Sequence, residues 1–152
     1  MGARLYHPGM TTDTPMVAPI SDAVRQFLEA PHVASVGTTG ADGEPHQAIA
    51  WYRLDPDDRI LLNSRYPRRW PRDLQRDPRV SLAVLDGGDS MRWVGISGVV
   101  ESIVDDVDQA RDDICALAVR YDDAAPDRLA EFRTQPRISF RIRILAIHDH
   151  LD

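Results

Sequence analysis

Between Leu61 and Val84 the chain reads LLNSRYPRRWPRDLQRDPRVSLAV, and no other stretch restricts the possible folds as much. An apolar run fit for a strand breaks at Tyr66-Pro67, and a second apolar run begins at Val80. Between them, Pro71 suits the first turn of a helix, where its missing N–H has no intrahelical partner, and Pro78 disfavours helix at Asp77. The order is therefore strand, basic turn, helix of about two turns, strand. Arg65, Arg68, Arg69 and Arg72 surround the start of that helix. Unpaired N–H groups and the positive end of the helix dipole lie there, and guanidinium forks match phosphate oxygens. The segment reads as an anion cradle for a phosphorylated cofactor. The plainer alternative is a solvated face whose arginines pair with Asp73 and Asp77.

A chain of 152 residues with 43% hydrophobic content supports one domain with a sizeable core. Its 18 basic residues are all Arg, and without Lys the Schiff-base chemistry of pyridoxal phosphate enzymes is closed to it. The formal net charge of -6 disfavours nonspecific binding to nucleic acid or an anionic membrane, so any basic site is local. The single Cys115, in the amphipathic pattern DICALAVRY, reads as a buried and inert thiol. Residues 1–18 lack the basic-then-apolar order of a secretory signal, and no apolar run approaches bilayer length. A cytoplasmic protein is expected.

Taken in order, Met1 to Pro19 has no periodicity, and residues 1–18 are expected to form a flexible arm ahead of a single domain over 19–152. Ser21 suits the N-cap of a helix over Asp22–Glu29. Six strands are expected: 33–38, 45–54, from Ile60 to the basic turn, 80–85, 91–104 and 137–147. Gly95 and Gly98 should bend the long fifth strand. Helices are expected from near Asp105-Asp106 and Asp108 to about Tyr121, and over Pro126–Phe132. On the second strand, alternation sets His46, Ala48, Ala50 and Tyr52 on one face and Gln47, Ile49 and Trp51 on the other, without saying which faces inward. Small Ala48 and Ala50 would let a flat ring approach the backbone, or are small only to fit opposing core side chains.

The segment NSRYPRRWPRDLQRDPRVSLAVLD resembles the middle of the flavin- and deazaflavin-binding split β-barrel family, relatives of pyridoxamine 5′-phosphate oxidase. VGTTGADGEPHQAIAWYRLD (36–55) resembles that family's first hairpin and WVGISGVVESI (93–103) its later long strand, so the likeness covers most of residues 20–148. The resemblance implies a mainly β (α+β) fold, a six-stranded split β-barrel of the FMN-binding, pyridoxamine-phosphate-oxidase-like type with flanking helices. It implies a homodimer with coenzyme F420 at the subunit interface and hydride transfer to or from a small or conjugated organic substrate. Ser64, Arg65, Arg68, Arg69 and Arg72 would then hold the phosphate and tail, and Asn63 would also bind the cofactor. Gln47, Ala48, Ala50 and Trp51 would border the ring, with Arg92 and Trp93 supplied by the second subunit. Where deazaflavin-binding members carry a phosphate-holding Lys, this chain has Trp70, whose ring would stack on an Arg or on the cofactor.

FMN in the same cradle is the alternative within the fold. A non-catalytic carrier of flavin, deazaflavin or haem is an alternative of another class, and an Arg-rich nucleic-acid module is disfavoured by the net charge. His148-Asp149-His150 reads as a frayed tail rather than a metal site, and no metal is assigned. GxGxxG after a strand, P-loop and GxSxG motifs are all missing. No catalytic residue is singled out.

Overall fold

The computed structural model describes residues 17–152. Strands β1 (Val33–Thr39), β2 (Pro45–Ala50), β3 (Tyr52–Leu54), β4 (Arg59–Arg65), β5 (Arg79–Leu85), β6 (Trp93–Val104) and β7 (Arg137–His150) form one antiparallel sheet in the order β2-β1-β5-β6-β7-β4-β3. Its two edge strands, β2 and β3, follow each other in the chain with only Trp51 between them. One continuous segment can serve both edges only if the sheet curls round on itself, so the sheet is a half-barrel split at Trp51. The expected strand 45–54 is thereby cut in two, and the count is seven rather than six. Nothing in the residue types marks that cut, because it follows from barrel closure: Ala50 pairs with Ala34 of β1 and Tyr52 with Leu62 of β4.

The barrel interior is filled from alternate positions of every strand, among them Val36, Tyr52, Leu62, Val84, Ile96 and Phe140. Ala48 and Ala50 pack against this core while Ile49 is 71% exposed, which sets the inward face of β2. Curvature comes from β6. Its register against β7 shifts at Ser97/Gly98 and again at Val100/Ser102. A Cβ on Gly98 would stand 2.6 Å from Ile142 Cγ2 and 2.9 Å from the Arg143 carbonyl, so only glycine fits the first bulge. Gly95 lies in regular pairing with His148, so the expected bend there is absent.

Four helices flank the barrel. α1 (Asp22–Glu29) starts at Ser21, whose Oγ accepts from the Val24 N–H, and buries Val24, Phe27 and Leu28 at one end. α2 (Arg69–Arg76) joins β4 to β5, and α3 (Val107–Asp122) lies on the outer side of β4 and β7 with Ala110, Ile114 and Leu117 buried. α4 (Pro126–Phe132) follows, and the Cys115 Sγ is buried near the Leu129 carbonyl. No described helix is long and apolar enough to cross a membrane.

Two terminal expectations change. The flexible arm falls on residues of which 1–16 lie outside the described ones, but the Ala18 N–H donates to the Ile144 carbonyl at 3.0 Å, so the chain is already tied to β7 there. The carboxy-terminal histidines are not a frayed tail. β7 runs to His150, pairing His148 with Gly95 and His150 with Trp93. The His150 and Trp93 rings stack at 4.2 Å.

Candidate functional site

Arg65 ends β4 and pairs in register with Arg137 at the start of β7. Like charges directly opposite each other are destabilising unless something between them is negative. The basic turn is pinned beside this pair, because the Tyr66 N–H donates to the Pro136 carbonyl at 2.9 Å. Arg68, the N-cap of α2, therefore adds a third guanidinium. Burial, and then the charges of Arg68 and Arg65, push the Arg137 guanidinium down to about 10. Its hydrogen bonds go to neutral acceptors: Gln135 Oε1, at 3.0 and 2.5 Å, and Asn63 Oδ1 at 3.3 Å. Among the described residues no carboxylate lies within ion-pair distance of Arg65, Arg68 or Arg137. The solvated-face alternative needed Asp73 and Asp77 as partners. Asp73 instead holds Arg76, and Asp77 holds Arg79.

Arg68 and Arg137, with Arg128, line a cavity of about 270 Å³ at the split in the barrel, and Arg65, paired with Arg137, is exposed beside it. Of the residues singled out from sequence, Ala50, Trp51, Asn63, Ser64, Arg68 and Trp70 line it. Trp51 stands at the seam with its indole stacked on Tyr121 at 5.1 Å and 6°. Tyr121 Oη accepts from the Tyr52 N–H at 3.2 Å and lies 2.5 Å from the His32 carbonyl. The phenol thus occupies the place where strand pairing stops. Trp70 forms part of the cavity wall from within the core: it is 7% exposed and packs on Phe140 at 5.8 Å. The expected stacking on an Arg is absent, because the helix turns this side chain inward with Leu74.

Other expected site residues are placed elsewhere. Arg69 and Arg72 border a second cavity of about 330 Å³ between α2 and the β1–β2 turn, with Asp42, His46, Asp73 and Arg76. There Asp73 fastens the helix to the hairpin, accepting from Thr38 Oγ1 at 2.8 Å and meeting His46 Nδ1 at 2.7 Å. Burial pushes the Asp73 carboxyl up, but the hydrogen bonds from His46, Thr38 and Arg76 outweigh it and hold the group below the ordinary carboxylate range. Gln47 is exposed on the outer face of β2, Ala48 faces the core, and Arg65 is exposed beside the first cavity. Arg92 donates to the Leu151 carbonyl and lies 3.6 Å from Asp86, so neither it nor Trp93 lines the cavity of its own chain.

Sequence reasoning missed Arg137, Arg128 and Phe132. The two guanidinium groups lie over the Phe132 ring at 5.1 and 5.3 Å, which holds both at the cavity rim. The signal for Arg137 is its register with Arg65, a pairing between strands far apart in the chain. Three converging cations without a carboxylate, beside a slot lined by small Ala50 and flat Trp51, suit a ligand with a phosphate at one end and a planar ring at the other.

The sheet is a curled antiparallel half-barrel with a cation-lined split, and the family model described as pyridoxamine 5'-phosphate oxidase matches residues 20–150. The chain belongs to that family. It is 29% identical over 111 residues, 71% of this chain and 77% of the relative, to the F420H(2)-dependent biliverdin reductase of Mycobacterium tuberculosis (strain CDC 1551 / Oshkosh). Among solved structures, an F420 reductase superposes with a TM-score of 0.73 at 23% identity, covering 85% of this chain and 98% of the other. HutZ, the haem storage protein of Vibrio cholerae, superposes with a TM-score of 0.66 at 16% identity, covering 86% and 94%.

Proposed function

We propose that the protein is an oxidoreductase that binds a phosphorylated deazaflavin, coenzyme F420, and transfers hydride between its ring and a small or conjugated organic substrate. The single observation carrying this reading is the convergence of Arg65, Arg68 and Arg137 without a carboxylate partner at the mouth of the split. F420 is favoured over FMN, which would use the same cations, by the likeness to the F420H(2)-dependent biliverdin reductase. The ring supplies the hydride chemistry when bound. The chain's part is charge, shape and orientation. Arg65, Arg68 and Arg137 neutralise the phosphate, Asn63 and Ser64 border it, and Trp51, held flat by Tyr121, walls the ring slot beside Ala50.

The working form in this reading is a homodimer. At about 270 Å³ the cavity is below the usual range of about 300–1,000 Å³ for ligand pockets, and its rim at Val33 and Ile49 continues onto the outer sheet face. That face carries Ser35, Ala83 and Gly95 in one cross-strand row and Gly37, Ser81 and Ser97 in the next, with Val33 and Leu85 exposed beside them. An uncharged, small-residue surface of this kind lets a second copy lie close and complete the slot.

Calorimetric titration of the purified protein with F420 and with FMN tests the reading, followed by turnover of reduced F420 with biliverdin as first probe substrate. F420 binding that weakens with salt is expected. Binding of FMN or haem with none of F420 would overturn the cofactor assignment, and tight F420 binding without turnover of any conjugated acceptor would make the protein a carrier.

A further inference from the structure

Asp113 is 8% exposed, sits in the middle of α3, and has no cation within ion-pair distance among the described residues. A carboxylate buried without a cation is costly, and an apolar residue would pack between helix and sheet more cheaply. Its hydrogen bonds lead to the anion cradle. Asp113 Oδ1 accepts from Gln109 Nε2 at 3.1 Å, and Oδ2 accepts from Ser139 Oγ at 2.8 Å. Ser139 is fully buried on β7 and is the cross-strand partner of Asn63. Having given its only proton to Asp113, the Ser139 hydroxyl acts as acceptor for Asn63 Nδ2, at 2.8 Å. The same amide nitrogen donates to the Ala110 carbonyl at 2.8 Å. With both amide protons used, Asn63 must turn its Oδ1 the other way, and there it accepts from Arg137 Nη1 at 3.3 Å.

We infer that Asp113 is a positioning residue for the anion site, acting through Ser139 and Asn63 to present an acceptor that aims the Arg137 guanidinium into the split. This rests on the reading of Arg137 as a phosphate holder. The direction of every bond follows from the acid end, since a carboxylate accepts and does not donate. With its oxygen kept on the Gln109 N–H, an amide at position 113 offers an N–H to Ser139, the hydroxyl is free to donate to Asn63, and the Asn63 amide is then pulled between two orientations, one of which turns N–H groups on the guanidinium. Arg137 needs such a hold because Arg65 and Arg68 repel it from the position it occupies. Gln135 alone fixes one edge of the planar group, and Asn63 fixes its rotation.

Two measurements on the full chain test this, and one needs no cofactor. In the unliganded protein, hydrogen exchange at the Arg137 guanidinium, followed by ¹⁵N-edited NMR, should speed up about tenfold in Asp113→Asn and equally in Ser139→Ala, the size expected for one lost hydrogen bond to a charged group. F420 affinity should fall by a similar factor in each. The double variant should be no worse than either single, because both cut one chain of bonds. Should Asp113→Asn fail to fold, Ser139→Ala cuts the same link while keeping the carboxylate and its bond from Gln109. Unchanged Arg137 exchange in a folded variant, or affinity losses that multiply in the double variant, would overturn the relay. A parent that does not bind F420 would overturn the cofactor reading, while the exchange measurement still decides the relay.

Discussion

Arg68 and Arg69 are adjacent in the chain, yet they border different cavities because the helix begins between them. Arg68 is the N-cap in extended backbone, at φ -82 and ψ 167, and Arg69 is the first helical residue. Arg68→Ala should therefore weaken F420 binding by about 1.5–3 kcal/mol, the loss of one charge-assisted bond. Arg69→Ala should stay within about 0.5 kcal/mol, as surface substitutions usually do. Calorimetry at low and moderate salt checks both, and equal losses would mean that the cluster acts as a diffuse field rather than a cradle. At this scale the sequence exposed the cations but not their grouping. Arg137 could not be found from spacing, because it joins Arg65 only through strand register across the β4–β7 pair. Trp70 sits at a position where a basic residue was the family expectation, and the inward turn of α2 makes it core instead. A Lys there would bury an ammonium against Phe140 rather than offer it to a phosphate.

Among the elements, α2 is two turns long, has no side-chain cap at Arg68, and carries Arg69, Arg72 and Arg76 with Arg68 at its start. What holds it to the barrel is Leu74, Trp70 and the Asp73 carboxylate, which gathers Thr38 and His46 from the first hairpin and Arg76 from its own next turn. Because the folded value of Asp73 lies below the 3.8 of an unfolded chain, its contribution is complete above about that pH and is lost as the pH falls through the folded value. Acid should thus release α2 only below about pH 4. Fluorescence of the buried Trp70 in a titration from pH 7 to 2 should show a step in the parent that Asp73→Asn lacks, the variant being weaker already at neutral pH. Coincident profiles would remove Asp73 as the anchor. Element limits were legible where local chemistry sets them: Ser21 before α1, Pro71 and Pro78 around α2, and the expected span of α4. They were not legible where closure sets them, as at Trp51, which carries neither Gly nor Pro and is cut out of its strand only because the two halves pair with opposite edges.

At the scale of the whole molecule, the outer face across β1, β5 and β6 is the surface least like the rest. Charged residues make up 28% of the chain, yet the central rows of that face carry Ser, Gly and Ala, with Val33, Leu85 and the stacked Trp93 and His150 at one end. A monomer gains nothing from keeping such a face uncharged, whereas the proposed dimer would close it and would place Arg92 and Trp93 of each copy towards the other's split. Ala83, in the centre of that face and not among the cavity-lining residues, tests this without touching the proposed cradle. On a monomer Ala83→Arg adds a solvated charge and leaves the fold intact. In a dimer it buries like charges near the two-fold axis, which should cost about 3 kcal/mol or more. Sedimentation should show the parent as a dimer at micromolar concentration and the variant as a folded monomer, with F420 affinity lost in parallel because each slot has lost its second wall. A parent that sediments as a monomer while binding F420 tightly, or a monomeric variant that binds it as well as the parent, would remove the shared site and leave the split of a single chain as the whole of it.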